Sequence, residues 1–149
     1  MAIDSRPTDK ASGGDDRYAS AKVLGKDTVY TDQYDAGLLF PIARQPARDD
    51  LAISQPLPFI GQDIWNAYEL SWLDKAGRPR CGLAEFVFSA DAPNIIESKS
   101  FKLYLNSFNQ TRIGDSERLR QMLVQDLSKA SGGSVNVTLL PATAGHAFP

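Results

Sequence analysis

Five polar side chains within one short segment could do chemistry in this chain. Residues 97–104 read ESKSFKLY and supply a carboxylate, two hydroxyls and two ammonium groups, from Glu97, Ser98, Ser100, Lys99 and Lys102. A carboxylate accepts hydrogen bonds from a donor-rich heterocycle, and a lysine beside unpaired helix N–H groups attracts an anion. The segment therefore predicts a site with Glu97 on a heterocycle and Lys99 on an anion. The alternative is a capped helix with two solvated lysines.

The same segment has the spacing of an amphipathic helix. Its apolar residues fall at i, i+3, i+4 and i+7, which is the buried stripe of such a helix. The polar residues precede the stripe, so they lie where a helix has unpaired N–H groups and the positive end of its dipole. The residues that we expect to anchor this helix in the core are Phe101, Tyr104, Leu105 and Phe108.

Two strands are predicted before this helix. Residues 64–73 are rich in β-forming side chains, and residues 74–77 (DKAG) have the composition of a turn. Residues 80–89 then alternate between two faces, which is the period of a strand. A β-hairpin follows from this pattern, and its expected inner face comprises Ala84, Phe86 and Phe88.

A second helix and a third strand are predicted after it. Asp115 or Ser116 is a suitable N-cap, and Gly132-Gly133 ends the helix. Residues 134–140 (SVNVTLL) alternate as a strand. The expected fold is α+β, with an antiparallel sheet, two helices on one face and the order β-β-α-α-β. The fourth strand is expected to be missing or to lie in residues 141–149. The apolar positions of the second helix are Leu119, Met122, Leu123, Leu127 and Ala130.

Composition excludes several classes of protein. The net charge of −2 and the pI near 5.3 argue against non-specific binding to nucleic acid. No apolar run approaches the ~20 residues of a membrane span, and no signal-peptide core follows Met1. One cysteine and one histidine build neither an internal disulfide nor a metal site. We therefore expect a cytoplasmic protein without a metal.

Four regions divide the chain. Residues 1–20 are polar and predict a disordered tail, and residues 21–62 predict an irregular arm across the surface. Residues 63–141 form the predicted folded module, and residues 142–149 begin a linker. Within the module, three aromatic residues suggest either a base-stacking platform or sheet core and interface packing, of which packing is favoured. They are Trp65, Tyr68 and Trp72.

Three stretches resemble one known family. The chain reads DIWNAYELSWLDKAGRP from residue 63, NIIESKSFKLYLNSFNQTR from residue 94, and YDAGLLFPIAR over residues 34–44. These resemble the N-terminal module of the two-module NADPH-dependent 7-cyano-7-deazaguanine reductase, the nitrile reductase of queuosine biosynthesis, whose signature motif ESKSFKLY matches. The resemblance runs from about residue 24 to about residue 140.

The resemblance implies a fold and an assembly. Members of this family have the tunnelling fold (T-fold), a ββααββ unit whose sheets join edge to edge into barrels with sites between modules. Joining hides edge strands that would otherwise be exposed. A chain with one module is therefore expected to associate with itself through its sheet edges, and to need a catalytic module in cis or in trans.

The resemblance also implies site residues. Ile96, Glu97 and Ser98 would contact the 7-deazaguanine substrate, and Ser98 with Lys99 would contact NADPH. A carboxylate suits the N–H donors of the 2-aminopyrimidinone edge, and a lysine near helix N–H groups suits a cofactor phosphate. Lys102 is expected to be solvated.

The catalytic residues of the family are not matched. The family's cysteine nucleophile, aspartate and His-Glu pair belong to the second module of two-module enzymes. In single-module enzymes the His-Glu pair closely follows a Ser-Phe that matches residues 107–108, but here NQTR follows. Cys81 falls in a predicted strand and His146 in the C-terminal tail, so neither is expected to be catalytic.

The sequence leaves three functions open. The first is half of a nitrile reductase that is inactive alone. The second is a non-catalytic T-fold module that binds a purine-like ligand or scaffolds an oligomer. The third is another T-fold enzyme, such as a pterin or cyclohydrolase relative, and it is disfavoured because such enzymes need sets of His, Cys and Glu. The ESKS segment favours the first, since a scaffold has no need for Glu97 there.

Overall fold

The computed structural model describes residues 31–142. The predicted tail, His146 and nearly all of the predicted linker lie outside these residues. The described part contains one 3-10 turn, three helices and six strands. In chain order they are the 3-10 turn Ala36–Leu38, β1 Pro41–Ala43, α1 Gln45–Asp50, β2 Gln62–Asp74, β3 Pro79–Ser89, β4 Asn94–Ile96, α2 Ser98–Asn106, β5 Arg112–Gly114, α3 Ser116–Ser131 and β6 Val135–Pro141.

The β2–β3 hairpin is confirmed, and Asp74 organises its turn. The carboxylate of Asp74 accepts the backbone N–H groups of Ala76 and Arg78 at 2.9 and 3.0 Å. It also accepts the guanidinium groups of Arg78 and Arg80. The Arg78 backbone N–H first, and then the two guanidinium groups, hold the pKa of Asp74 at about 2. Gly77 completes the turn with φ +80°, where a side chain would be strained.

The main sheet has four strands in the order β5-β2-β3-β6. The structure describes the chain only to residue 142, so the expectation that a fourth strand is missing or lies in residues 141–149 stays a prediction. The sheet contains instead one strand that was not predicted, β5, which lies between the two long helices and pairs parallel with the end of β2 at Leu73. The sheet is therefore mixed rather than antiparallel. A strand of three residues is too short to show alternation, which is why the sequence pattern missed it. A β-bulge between Ala67 and Leu70 shifts the register of β2 against β3.

The hydrophobic core lies between the helices and one face of this sheet. The inner face of β3 is buried as predicted, and Phe86 packs edge-on against Phe101 of α2 with ring centroids 4.9 Å apart. Burying one such ring contributes about 1.5–3 kcal/mol. The hydrophobic residues of the two helical segments that are 0% exposed are Tyr104, Phe108, Leu119, Leu123 and Leu127.

The boundaries of α3 follow their sequence signals. Asp115 is the N-cap, and its carboxylate accepts the N–H of Arg118 at 2.8 Å. Gly132 ends the helix in the left-handed conformation, with φ 74°. None of the helices within residues 31–142 is both long and apolar enough to cross a membrane.

The arm that was predicted to be irregular contains regular structure. It includes the 3-10 turn, β1 and α1, and β1 pairs antiparallel with β4 in a separate two-stranded sheet. Arg44, which follows β1, makes an ion pair with Asp63 at the start of β2. These elements are three to six residues long, so their periodicity is not visible in the sequence. The arm reaches the start of α2 through the β1–β4 pair.

Candidate functional site

Glu97 is the N-cap of α2. Its backbone is extended, and its side chain turns back so that its two carboxylate oxygens accept the N–H groups of Lys99 at 2.9 Å and Ser100 at 2.6 Å. The hydroxyl of Ser98 donates to the same carboxylate at 3.4 Å. These bonds satisfy two of the unpaired N–H groups of the first turn. A carboxylate has about four lone-pair positions, so this one keeps acceptor capacity for a further donor.

The other predicted binding residues differ in exposure. Ser98 is exposed and Lys99 is half-buried, both in the first turn of α2. Ile96 ends β4 opposite Pro41 and is only 3% exposed, because its side chain belongs to the hydrophobic core. The structure thus brings the four residues together in sequence order at one helix start, but it turns the side chain of Ile96 away from solvent.

A cleft of about 320 Å³ lies between α2 and β2, beside this helix start. Ser98 and Lys102 contribute polar groups to its wall, and Lys102 is exposed as expected. Glu97 and Lys99 are not among its lining residues. The cleft therefore adjoins the motif without containing all of it. Its other lining residues are Trp65, Asn66, Ala67, Tyr68, Glu69, Phe86, Phe101, Leu105 and Asn106.

The three aromatic residues of β2 have different roles. Trp72 is 8% exposed and lies in the core. Trp65 packs edge-on against Phe101, with ring centroids 5.6 Å apart. The core interpretation is thus confirmed for the two tryptophans, but Tyr68 is 67% exposed and is not a core residue of this chain. Tyr68 lies after the start of the bulge, where the alternation of β2 is interrupted.

Residues 34–44 contact the candidate site in a way that the sequence did not predict. The N–H of Phe40 donates to the hydroxyl of Ser100 at 3.0 Å, and the N–H of Glu97 donates to the carbonyl oxygen of Phe40 at 2.9 Å. Both backbone groups of Phe40 are therefore bonded to the first turn region of α2. The only available signal was that residues 34–44 and residues 97–104 resemble the same family.

Cys81 does not line the cleft beside α2. It lies on β3 opposite Ser71, close to the hairpin turn, and it is exposed. It lines a separate cleft of about 360 Å³ together with Trp72, Gly82 and Leu140. Within residues 31–142, no group of three or more His, Cys, Asp or Glu side chains is placed to hold a metal ion.

Comparison with known proteins identifies the family. Residues 30–139 match the family described as "Nitrile reductase, 7-cyano-7-deazaguanine-reductase N-term". The NADPH-dependent 7-cyano-7-deazaguanine reductase of Cupriavidus necator is 60% identical over 119 residues, which are 78% of this chain and 43% of that protein. The enzymes of the same name from Bordetella pertussis and Burkholderia mallei are 56% and 57% identical, with the same 78% of this chain covered.

The chain spans less than half the length of these relatives, 43% of the Cupriavidus and Bordetella proteins and 42% of the Burkholderia protein. The matched part of the chain includes the arm from residue 30, the hairpin, both long helices and almost all of β6. It therefore includes every residue of the candidate site. The chain belongs to the family of N-terminal modules of 7-cyano-7-deazaguanine nitrile reductases.

Proposed function

We propose that this chain is the substrate- and NADPH-contacting module of a nitrile reductase that converts 7-cyano-7-deazaguanine to 7-aminomethyl-7-deazaguanine in queuosine biosynthesis. The observation that carries the proposal is the position of the ESKS segment. It forms the first turn of α2, beside a cleft and within the region that matches the family. We further propose that the α+β module has the T-fold that this family implies.

Glu97 is proposed to hold the nucleobase. Its carboxylate already accepts two backbone N–H groups and the Ser98 hydroxyl, and its remaining acceptor capacity suits an N–H donor of a 2-aminopyrimidinone edge. The helix start supplies a fixed orientation, because both carboxylate oxygens are bonded to it. Ile96 would contribute through its backbone, since its side chain is buried.

Ser98 and Lys99 are proposed to contact NADPH. A phosphate is favoured near the positive end of a helix, and the ammonium group of Lys99 adds a full charge in the first turn. The exposed Ser98 side chain lines the cleft. NADPH, when bound, would supply hydride, and two hydrides are needed to take a nitrile through an imine to an amine.

The covalent chemistry is assigned to a second module. In enzymes of this family a cysteine thiolate attacks the nitrile carbon. The cysteine of this chain is exposed beside the hairpin turn and lines a different cleft. We therefore propose that a catalytic T-fold module, in cis or in trans, completes the site. Within residues 31–142 the sheet ends at β6 on one side, and β5 covers only the last residues of β2 on the other. These two edges offer unpaired backbone groups for joining a further module or copy.

Complementation tests this function. The 149-residue chain would be mixed with the C-terminal part of a two-module relative, and NADPH oxidation would be followed at about 340 nm with 7-cyano-7-deazaguanine as substrate. We expect turnover from the mixture and none from either part alone. Absence of turnover from a mixture that demonstrably associates would contradict the proposal. Turnover by the isolated chain that Cys81→Ala abolishes would show that the nucleophile is misassigned.

The alternative is a non-catalytic module that binds a purine-like ligand or scaffolds an oligomer. The N-cap role of Glu97 is the observation that favours it, because a capping carboxylate also has a purely structural use. The same mixture distinguishes the two: ligand binding or assembly without turnover would support the alternative.

A further inference from the structure

Three hydroxyl groups connect α2 and its C-terminal turn to the arm, and we call Ser100, Ser107 and Thr111 the hydroxyl ladder. Each hydroxyl donates to a carbonyl oxygen of its own segment and accepts a backbone N–H from the arm. The hydroxyl of Ser100 donates to the Glu97 carbonyl at 2.8 Å and accepts the Phe40 N–H at 3.0 Å. Ser100 is 3% exposed, so this bond is shielded from water.

The other two members of the ladder repeat the pattern. Ser107 donates to the Tyr104 carbonyl at 2.6 Å and accepts the N–H of Asp35 at 3.2 Å. Thr111 donates to the Ser107 carbonyl at 3.1 Å and accepts the N–H of Tyr34 at 2.8 Å. The arm therefore runs antiparallel to α2, from the C-terminal end of the helix at Tyr34 to its N-terminal end at residue 40.

The far end of the arm has additional anchors. The hydroxyl of Tyr34 donates to Asp126 of α3 at 2.8 Å, and its ring lies 5.1 Å from that of Phe108. The N–H of Gln110 donates to the carbonyl oxygen of Asp32 at 3.0 Å. Between the two ends, the arm forms the 3-10 turn Ala36–Leu38, whose side chains pack on the core. A short ordered segment of this kind can transmit a displacement from one end to the other.

The near end of the arm fixes the backbone of the candidate site. Glu97 is an N-cap, so its own N–H has no partner within the helix, and the carbonyl oxygen of Phe40 supplies one. The Glu97 backbone is thus tied to the arm while its carboxylate is tied to the helix. Both sets of bonds together restrain the position of the Glu97 carboxylate.

We propose that the hydroxyl ladder is the positioning device of the Glu97–Lys99 site: it holds the arm on α2 so that Phe40 orients Glu97. The expected effect of the ladder on catalysis rests on the proposed function, whereas its effect on the Glu97 backbone does not. Ser107 and Thr111 are positioning residues, because they act on the site only through the arm. Their chemistry matters rather than their bulk, since each must both donate and accept.

Hydrogen exchange on the 149-residue chain tests the coupling. Thr111→Val keeps the shape but removes the hydroxyl, and we expect the Tyr34 amide to exchange about fivefold faster. If the arm is the link, the Glu97 amide also accelerates severalfold, although it lies at the other end of α2. Thr111→Ser restores the hydroxyl and should return both amides to the unsubstituted rate. Tyr34→Phe removes the hydrogen bond from the Tyr34 hydroxyl to Asp126 and so loosens the same end of the arm. It serves as a second variant should Thr111→Val misfold.

A matched control and a kinetic readout complete the test. Thr138→Val makes the same change at an exposed position of β6 and should alter neither amide. Acceleration at Tyr34 with an unchanged Glu97 amide would overturn the proposal. In the complemented mixture, Thr111→Val should raise KM for 7-cyano-7-deazaguanine about fivefold with kcat within about twofold, and Thr111→Ser should rescue it. If the unsubstituted mixture associates but is inactive, the proposed function fails, and the exchange result alone decides the coupling.

Discussion

The N–H of Glu97 donates to the carbonyl oxygen of Phe40 at 2.9 Å, across 57 positions of sequence (97 minus 40). This bond joins the end of the arm to the residue that caps α2. Beside it, Pro41 pairs with Ile96 in the β1–β4 sheet. The start of α2 is therefore held both by its own helix and by the N-terminal arm, and the Glu97 carboxylate is held between them.

Glu97→Gln replaces an anionic acceptor by an amide that also carries donors. In the complemented enzyme we expect kcat/KM to fall roughly 30- to 150-fold, which corresponds to about 2–3 kcal/mol for a lost charge-assisted pair. The substitution should also lower the free energy of unfolding by about 1–2 kcal/mol, because one backbone N–H would then face an NH₂ group. Steady-state kinetics and urea unfolding measure the two effects.

Asp115→Asn is the matched control for this change. It makes the same carboxylate-to-amide substitution at the N-cap of α3, which lies outside the proposed site. It should leave kcat/KM unchanged within about twofold, because asparagine is an equally good N-cap. Equal kinetic effects of the two substitutions would show that Glu97 acts only as a cap.

Lys99→Ala should act through the cofactor. Removing an ammonium group from a phosphate contact is expected to raise KM for NADPH about tenfold and to leave kcat nearly unchanged. Lys129→Ala removes an exposed lysine from the last turn of α3 and serves as the control. A NADPH titration of the complemented enzyme gives both values. An unchanged KM for NADPH in the Lys99 variant, with the fold intact, would exclude Lys99 from the cofactor site.

Asp74 should make the fold sensitive to acid. Its pKa in the folded chain is about 2, below the ordinary value, because it accepts the Arg78 backbone N–H and two guanidinium groups. A lowered pKa contributes stability that is present above the unfolded pKa of ~4 and is lost as pH falls through ~2. We expect the urea midpoint to drop between pH 4 and pH 2, and Asp74→Asn to remove that part of the drop. Asp91→Asn, in an exposed loop, should keep the full drop.

Two tyrosines should make the fold sensitive to alkali. Tyr34 and Tyr104 both donate to Oδ2 of Asp126, at 2.8 and 2.7 Å. Burial first, and then Asp126, raise the pKa of Tyr34 to about 12 and raise that of Tyr104 in the same direction. A raised pKa gives stability that is complete below pH ~10 and declines as pH rises through the folded pKa. Unfolding followed by circular dichroism should show this decline, and Tyr104→Phe should reduce it. A flat profile to pH 12 would contradict the assignment.

Self-association is expected through the sheet edges. The edge of β6 is unpaired within residues 31–142, and β5 pairs only with the end of β2. Exposed strands of this length favour pairing with a further strand. Light scattering at micromolar concentration should therefore give a mass of at least twice 16.3 kDa. A 16.3 kDa monomer with a cooperative thermal transition would refute this expectation.

Local pattern determined most of the regular structure. The hairpin, α2, α3 and β6 each extend over seven or more residues, so two or more periods of alternation or helical spacing identify their buried faces. Asp115 and Gly132 determined the ends of α3 through capping chemistry that acts within one turn. The ESKS motif could likewise be recognised from the sequence, because a motif is a property of consecutive residues.

Only the tertiary structure decided how these parts meet. The strand β5 and the arm elements are three to six residues long, too short for periodicity to reveal. The strands β1 and β5 exist because partners distant in sequence supply their hydrogen bonds. The burial of Ile96, the exposure of Tyr68 and the contact of Phe40 with Glu97 also depend on contacts between distant residues, so the sequence did not predict them. The amino-acid sequence determined which groups the site contains. Pairing between residues far apart in the chain determined where those groups point, since side-chain direction follows from the register and packing that long-range contacts impose.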